Sequence, residues 1–127
     1  MKRPAVVLDS GALIAFGRND KKLRTLVELA YGHGRTLHVP AGVVAQVWRD
    51  GRKQARLARL LGSNVVVVRA LDRAEAQAVG VVCAQSRHDD VVDASVVLLA
   101  RRLGACVVTS DPDDLRRLDP SIELVPC

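Results

Sequence analysis

The chain has 127 residues, a net charge of +5 and a pI near 9.6. That length fits one domain with a core large enough to need no disulfides or structural metal. With apolar residues at 49% but aromatics at only 2%, the core must be aliphatic, and base-stacking platforms of Phe and Tyr are excluded as the main means of holding single-stranded RNA.

The basic balance suits a polyanionic partner, although solubility alone also accounts for it. Cys83, Cys106 and Cys127 are scattered and form no Cys-x-x-Cys pair. They argue against a disulfide framework and a zinc knuckle, and Cys83 and Cys106 read as core filler. The start, MKRPAVVLDSGALIAF, sets two basic residues before an apolar stretch. Pro4, Asp9 and Gly11 interrupt it, so it does not read as a signal peptide. No apolar run reaches the roughly 18 residues of a membrane span, so a soluble, cytoplasmic protein with no membrane association is expected.

In chain order, Ala5–Leu8 reads as a buried strand ending at Asp9. Helix-like spacing begins at Ala12–Phe16. Asn19–Tyr31 has an amphipathic pattern, with Leu23, Leu26, Val27 and Ala30 on one face and Gly32 and Gly34 as stops. Thr36–Val39 is a second strand, closed by Pro40. Helices are expected at Ala41–Arg49 and Arg52–Leu61, broken at Gly51. Val65–Val68 is continuously apolar and reads as a strand buried on both faces. Asp72 and Glu75 form a capping-box pattern opening a helix to about Gln85. Asp89 or Asp90 caps a helix over Val91–Leu103, which Gly104 ends. Ala105–Thr109 is a fourth strand, Pro112 opens a short helix to about Leu118, and Ile122–Val125 is an edge strand. This alternation predicts a three-layer α/β/α fold: a mostly parallel sheet of four to five strands in a single domain over residues 1–127.

In such sheets, sites form beyond the carboxyl ends of the strands. Asp9 ends the first strand and Asp111 the fourth. Asp93 lies in VVDASVVLLA, a helix apolar nearly all round and therefore buried. A buried carboxylate costs several kcal/mol unless paired or metal-bound, and arginine is the main alternative partner. Three converging carboxylates repel one another, and a hard cation such as Mg²⁺ or Mn²⁺ relieves this. Such an ion can activate water and polarise a phosphoryl oxygen, which with the basic surface suggests hydrolysis of nucleic-acid phosphodiesters.

Simpler roles stand beside these. Asp111 before Pro112 reads equally as a helix cap, and Asp9 before Ser10-Gly11 as a turn or cap residue. Asp113 and Asp114 suit the first turn of a helix, with a contact to the site the less favoured use of Asp114. Asp90 stands one helical turn before Asp93, in reach of a supporting role. Gly11 suits a close backbone approach near Asp9, or a turn. His88 reads as a loop histidine, with a general base as the alternative.

The segments VLDSGALIAF, VPAGVVAQVWR and HDDVVDASVVLLARRLGACVVTSDPDDL, in this order, resemble the PIN-domain family. Within it they are most similar to the VapC-like ribonuclease toxins of type II toxin–antitoxin systems. The resemblance covers essentially the whole chain. It implies a Mg²⁺- or Mn²⁺-dependent endoribonuclease, a homodimer neutralised by a cognate antitoxin. Asp9, Asp93 and Asp111 match three acids of the family's quartet, as metal-holding and catalytic residues. The remaining place, usually a glutamate, is occupied here by Gln46. Gln46 keeps a carbonyl oxygen but carries no charge, which implies weaker metal binding. Either Asp90 compensates, or the chain is a weakened or inactive PIN-fold binding module.

Ser10, Thr109 and Ser110 match places where hydroxyls support the acids or the phosphate. Arg49, Arg52, Lys53, Arg56 and Arg59 form a basic stretch. On a continuous helix Arg52, Arg56 and Arg59 would share a face and could track an RNA backbone, or simply face solvent. The resemblance also implies antitoxin contact in this region, beside Trp48, which suits the core or an interface. A phosphoacceptor receiver domain is disfavoured, because NVVVVRAL lacks the aspartate that would end its third strand.

Overall fold

The computed structural model describes residues 5–127; the basic lead-in expected at the N-terminus lies outside them. The described residues form five strands and seven helices in the order β1 (Val6–Leu8), α1 (Ser10–Gly17), α2 (Lys21–Gly32), β2 (Leu37–Pro40), α3 (Ala41–Val47), α4 (Ala55–Leu61), β3 (Val66–Arg69), α5 (Arg73–Ser86), α6 (Val91–Leu103), β4 (Cys106–Thr109), α7 (Pro112–Leu118) and β5 (Leu124–Pro126). Every strand pair is parallel, in the spatial order β3-β2-β1-β4-β5. This is the expected three-layer α/β/α architecture. No described helix is long and apolar enough to cross a membrane.

Short aliphatic runs make the centre. Val7, Leu8, Leu37, Val39, Val107 and Val108 are almost wholly buried, as parallel strands covered on both faces require. Helix α6 lies against β1, β2 and β4, and buries Ala94 through Val97, Leu99 and Ala100. Helix α1 packs with α2, α3 and α4. Aspartates set the helix starts. Asp20 accepts from the Leu23 N–H at 3.0 Å, and Asp72 from the Glu75 N–H at 2.8 Å. Glu75 completes no reciprocal capping box, because its carboxylate pairs with Arg102 of α6. Gly104, at φ +60°, ends α6 in a left-handed turn.

Two expectations fail here. The third strand is not buried on both faces. It is the sheet's edge, and Val67 and Val68 are 39% and 42% exposed. After β3 the chain crosses back through α5 and α6 to lay β4 beside β1, so no described strand covers the outer side of β3. The helices over Ala41–Arg49 and Arg52–Leu61 are also shorter than their patterns suggest. Gln54 clamps the connection: its Oε1 accepts from the Arg49 and Asp50 N–H groups, and its Nε2 donates to the Val47 carbonyl. Asp50 takes the Arg52 N–H at 3.0 Å. Arg49, Arg52 and Lys53 therefore lie on a turn, and only Arg56 and Arg59 belong to α4. Trp48 closes α3 against Gly51, where an added Cβ would meet the indole at 2.9 Å.

Candidate active site

The strand order reverses at β1. From there the chain builds outward through β2 and β3, then returns to place β4 on the other side. At such a switch point the connections leave to opposite faces and a crevice opens beyond the carboxyl ends of the two strands. Asp9 directly follows β1 and Asp111 follows β4 by two residues. Between them opens a cleft of about 360 Å³, into which α6 brings Asp90 and Asp93, α7 brings Asp114, and α3 brings Gln46. Ser10, Gly11 and Ser110 also line it, with Ile14, Val92 and Val96 as its apolar wall. Among the described residues, no lysine or arginine does.

Each acid has its own anchorage. Asp9 is 9% exposed and caps α1, its Oδ1 accepting from the Ala12 N–H at 3.0 Å. The cap reading was therefore correct, and the same carboxylate still borders the cleft. Burial pushes Asp9 above the usual carboxylate range, while the Thr109 hydroxyl and the Ala12 and Gly11 N–H groups pull it back. Thr109 is fully buried and accepts the Asp111 N–H at 2.9 Å, so one hydroxyl joins the two strand ends. Gly11 lies so close to β4 that an added Cβ would fall 1.8 Å from the Ser110 Oγ and 2.5 Å from its Cβ. Only glycine lets α1 begin against the end of β4.

Asp93 sits on the first turn of α6, whose cap is Asp90. The Asp90 Oδ1 accepts from the Val92 and Asp93 N–H groups at 3.0 and 3.1 Å. The partner of Asp93 is not an arginine but His88, whose Nε2 lies 3.4 Å from the Asp93 Oδ2. Burial, then the neighbouring Asp90, raise the Asp93 pKa against the lowering effect of His88. Asp111 makes no side-chain cap hydrogen bond to α7, so capping alone does not explain it. Its carboxyl is pushed up chiefly by the Asp114 carboxyl beside it. Asp114 thus stands in the first turn of α7, as expected, and also lines the cleft. Three residues separate it from Asp111, and one turn of α7 folds it back to the cleft. His88 left no comparable signal, because its approach depends on the left-handed turn at Arg87, φ +54°.

The basic stretch does not join this cleft. Arg56 and Arg59 border a separate groove of about 540 Å³ between α2 and α4, with Arg24 and Glu28, over Phe16, Val27, Tyr31, Leu60 and Val65. Lys53 lies beside a smaller pocket with Leu13 and Ile14. Arg49 donates to the Ala45 and Trp48 carbonyls, and Arg52 stands 3.7 Å from Asp50.

The donors suit a hard cation by chemistry: they are oxygen ligands whose raised pKa values report repulsion and burial that positive charge would relieve. They do not form a closed cage. Among the described residues no three His, Cys, Asp or Glu side chains stand close enough to enclose an ion. Such an open set fits Mg²⁺, which commonly keeps several waters and takes only one or two protein carboxylates.

A family model described as "PIN domain" matches residues 6–120. No curated protein matches the chain. Among solved structures, the crystal structure of VapBC2 from Rickettsia felis bound to a promoter DNA fragment matches at 15% identity. It covers 97% of this chain and 98% of the other, with a TM-score of 0.73. The structure of FitAB bound to the IR36 DNA fragment matches at 12% identity, covering 95% and 94%, with a TM-score of 0.62. At these identities the likeness is one of fold.

Proposed function

Because this chain belongs to the PIN domain family, whose members are generally nucleases, we propose that it is a metal-dependent endoribonuclease acting as the toxin of a type II toxin–antitoxin pair. The observation that carries this reading is the meeting of Asp9, Asp93 and Asp111 in one cleft at the switch point, with no basic side chain among the described residues lining it. A neutral site would not need three carboxylates held above their ordinary pKa.

In this reading Asp9, Asp93 and Asp111 hold Mg²⁺ or Mn²⁺, and Asp90 and Asp114 add negative charge around them. A divalent ion held there supplies a polarised phosphoryl oxygen and a more acidic water. The chain's own residues do the positioning. Thr109 fixes the ends of β1 and β4 to each other, and His88 holds one oxygen of Asp93, leaving the other for the cleft. Ile14, Val92 and Val96 limit access of bulk water. Gln46 removes one charge from the set, and Asp90 is the acid best placed to restore it.

The antitoxin reading has a separate support. The apolar groove between α2 and α4 is rimmed by Arg24, Arg56 and Arg59 against the single acid Glu28. It suits an amphipathic segment with acidic flanks, and that is the antitoxin segment we assign to it. The structural neighbours VapBC2 and FitAB are each bound to a DNA fragment. A homodimer acting in the cytoplasm completes the proposal.

The deciding experiment measures cleavage of RNA with Mg²⁺ or Mn²⁺ by the wild-type chain and by Asp9→Asn. Cleavage that needs the ion and is lost in the variant supports the reading. A second reading, a non-catalytic RNA- or protein-binding module, is favoured by Gln46. Absence of cleavage under every metal would select it.

A further inference from the structure

Gln46 occupies the place of an expected acid, and its surroundings assign it a different task. The residue lies in the last turn of α3 and lines the acidic cleft. The Ser10 hydroxyl, on the residue directly after Asp9, donates to its Oε1. The carbonyl is therefore engaged at the rim, and the amide nitrogen is the end left over. Among the described residues no protein group accepts its N–H hydrogens.

Electrostatics favours this orientation of the amide. The opposite orientation would turn a carbonyl dipole toward a cleft lined by Asp9, Asp90, Asp93, Asp111 and Asp114, acceptors facing acceptors. With Oε1 taken by Ser10, the Gln46 amide keeps two free donors on a residue that lines the cleft. A phosphodiester needs such donors. It is anionic, the cleft is anionic, and among the described residues no lysine or arginine lines it. Gln46 carries the one side-chain amide among those residues, and the Ser10 hydroxyl beside it is spent on orienting that amide.

Resting on the reading of the cleft as an RNA-cleaving site, we propose that Gln46 is a substrate-binding residue, donating from Nε2 to a non-bridging phosphate oxygen of the RNA, and not a metal ligand. Ser10 is its positioning residue. The change from acid to amide thus trades metal-binding charge for grip on the substrate. A glutamate here would repel the same phosphate.

The test compares Gln46→Met, Gln46→Glu and Ser10→Ala in the full chain, with Asp9→Asn and Asp111→Asn as controls. Mn²⁺ affinity is read by titration calorimetry, and the affinity of a fluorescent single-stranded RNA oligonucleotide by anisotropy in Ca²⁺. We expect Gln46→Met to leave the Mn²⁺ Kd within about twofold and weaken RNA about tenfold, the scale of one hydrogen bond to a charged group. Gln46→Glu should tighten Mn²⁺ and weaken RNA further. Ser10→Ala should weaken RNA about threefold and leave Mn²⁺ unchanged. RNA affinity unaltered in Gln46→Met overturns the proposal, and so does a loss of Mn²⁺ affinity as large as that of Asp111→Asn. If Asp9→Asn and Asp111→Asn leave Mn²⁺ binding intact, the metal reading fails, while the RNA arm still decides the role of Gln46.

Discussion

Two groups of aspartates in this chain meet opposite fates. Asp119, 8% exposed, ends α7 and is fully provided for. Arg101 donates to it at 2.6 Å, and the Ser121 N–H and hydroxyl at 2.9 and 2.5 Å. These donors, Ser121 first, hold its pKa down to about 2. Burial keeps Asp9 up, burial and then Asp90 keep Asp93 up, and the neighbouring Asp114 keeps Asp111 up. The fold thus has the means to satisfy a buried carboxylate and uses them at Asp119. At the switch point no described arginine lines the cleft, and Asp90 and Asp114 add to its acids. Negative charge left unneutralised at one place is what the proposed cation would relieve.

The contrast can be broken by substitution. The largest effect is expected on chemistry: Asp111→Asn should reduce metal-dependent RNA cleavage by on the order of 100-fold or more, the scale of losing a group that organises transition-state charge. Asp119→Asn should leave the cleavage rate per folded molecule unchanged. Next comes ligand-linked stability. Saturating Mn²⁺, at about 100 times its Kd, should stabilise the wild-type chain by about 2.7 kcal/mol, and Asp111→Asn far less, read by denaturant unfolding.

The third effect concerns Asp119 itself. Its folded pKa lies below the unfolded value, so its contribution is complete above about pH 4 and fades as the pH falls toward 2. Asp119→Ala should cost roughly 2 kcal/mol at pH 7, by leaving Arg101 and Ser121 without their acceptor, and much less near pH 2. The smallest effect has the opposite sign. A carboxyl with a raised folded pKa binds its proton more tightly when folded, so it loses stability as the pH rises through the carboxylate range. Metal-free Asp9→Asn keeps a capping side chain and should be the more stable protein at pH 7, with the gain vanishing below about pH 4. A metal-free Asp9→Asn that is less stable at pH 7 would show that Asp9 is chiefly structural.

The sheet and the three central aspartates were legible because both rest on local pattern. Aliphatic runs of three or four residues end at an aspartate, and a helix too apolar for its one acid must bring that acid somewhere. What escaped depends on long-range packing or on a single side chain. Val65–Val68 has the composition of a central strand, and only the crossover order leaves it at an edge. Arg52 shares a helical face with Arg56 and Arg59 by spacing, but Gln54 fastens the backbone before that helix can begin. Asp114 was undervalued because first-turn acids are common on helices, and its position depends on how α7 leaves β4. The resemblance pointed to Gln46 as a missing charge, and only the Ser10 contact shows which end of the amide is occupied.

The pairing of β1 with β4 also carries a consequence in time. Asp9 is made about 100 residues before Asp111, yet they flank one cleft across neighbouring strands. During synthesis at ~5–20 residues per second, the ribosome must extend about 100 residues beyond Asp9 before its partner exists, several seconds in which no acidic cleft is present. The most distant strand pairing in the chain is also the one that creates the site, and contacts of such sequence separation form slowly. Any activity at the switch point therefore begins only after β4 has been made, and a chain cut short before β4 would carry three of the five acids with nothing to gather them around.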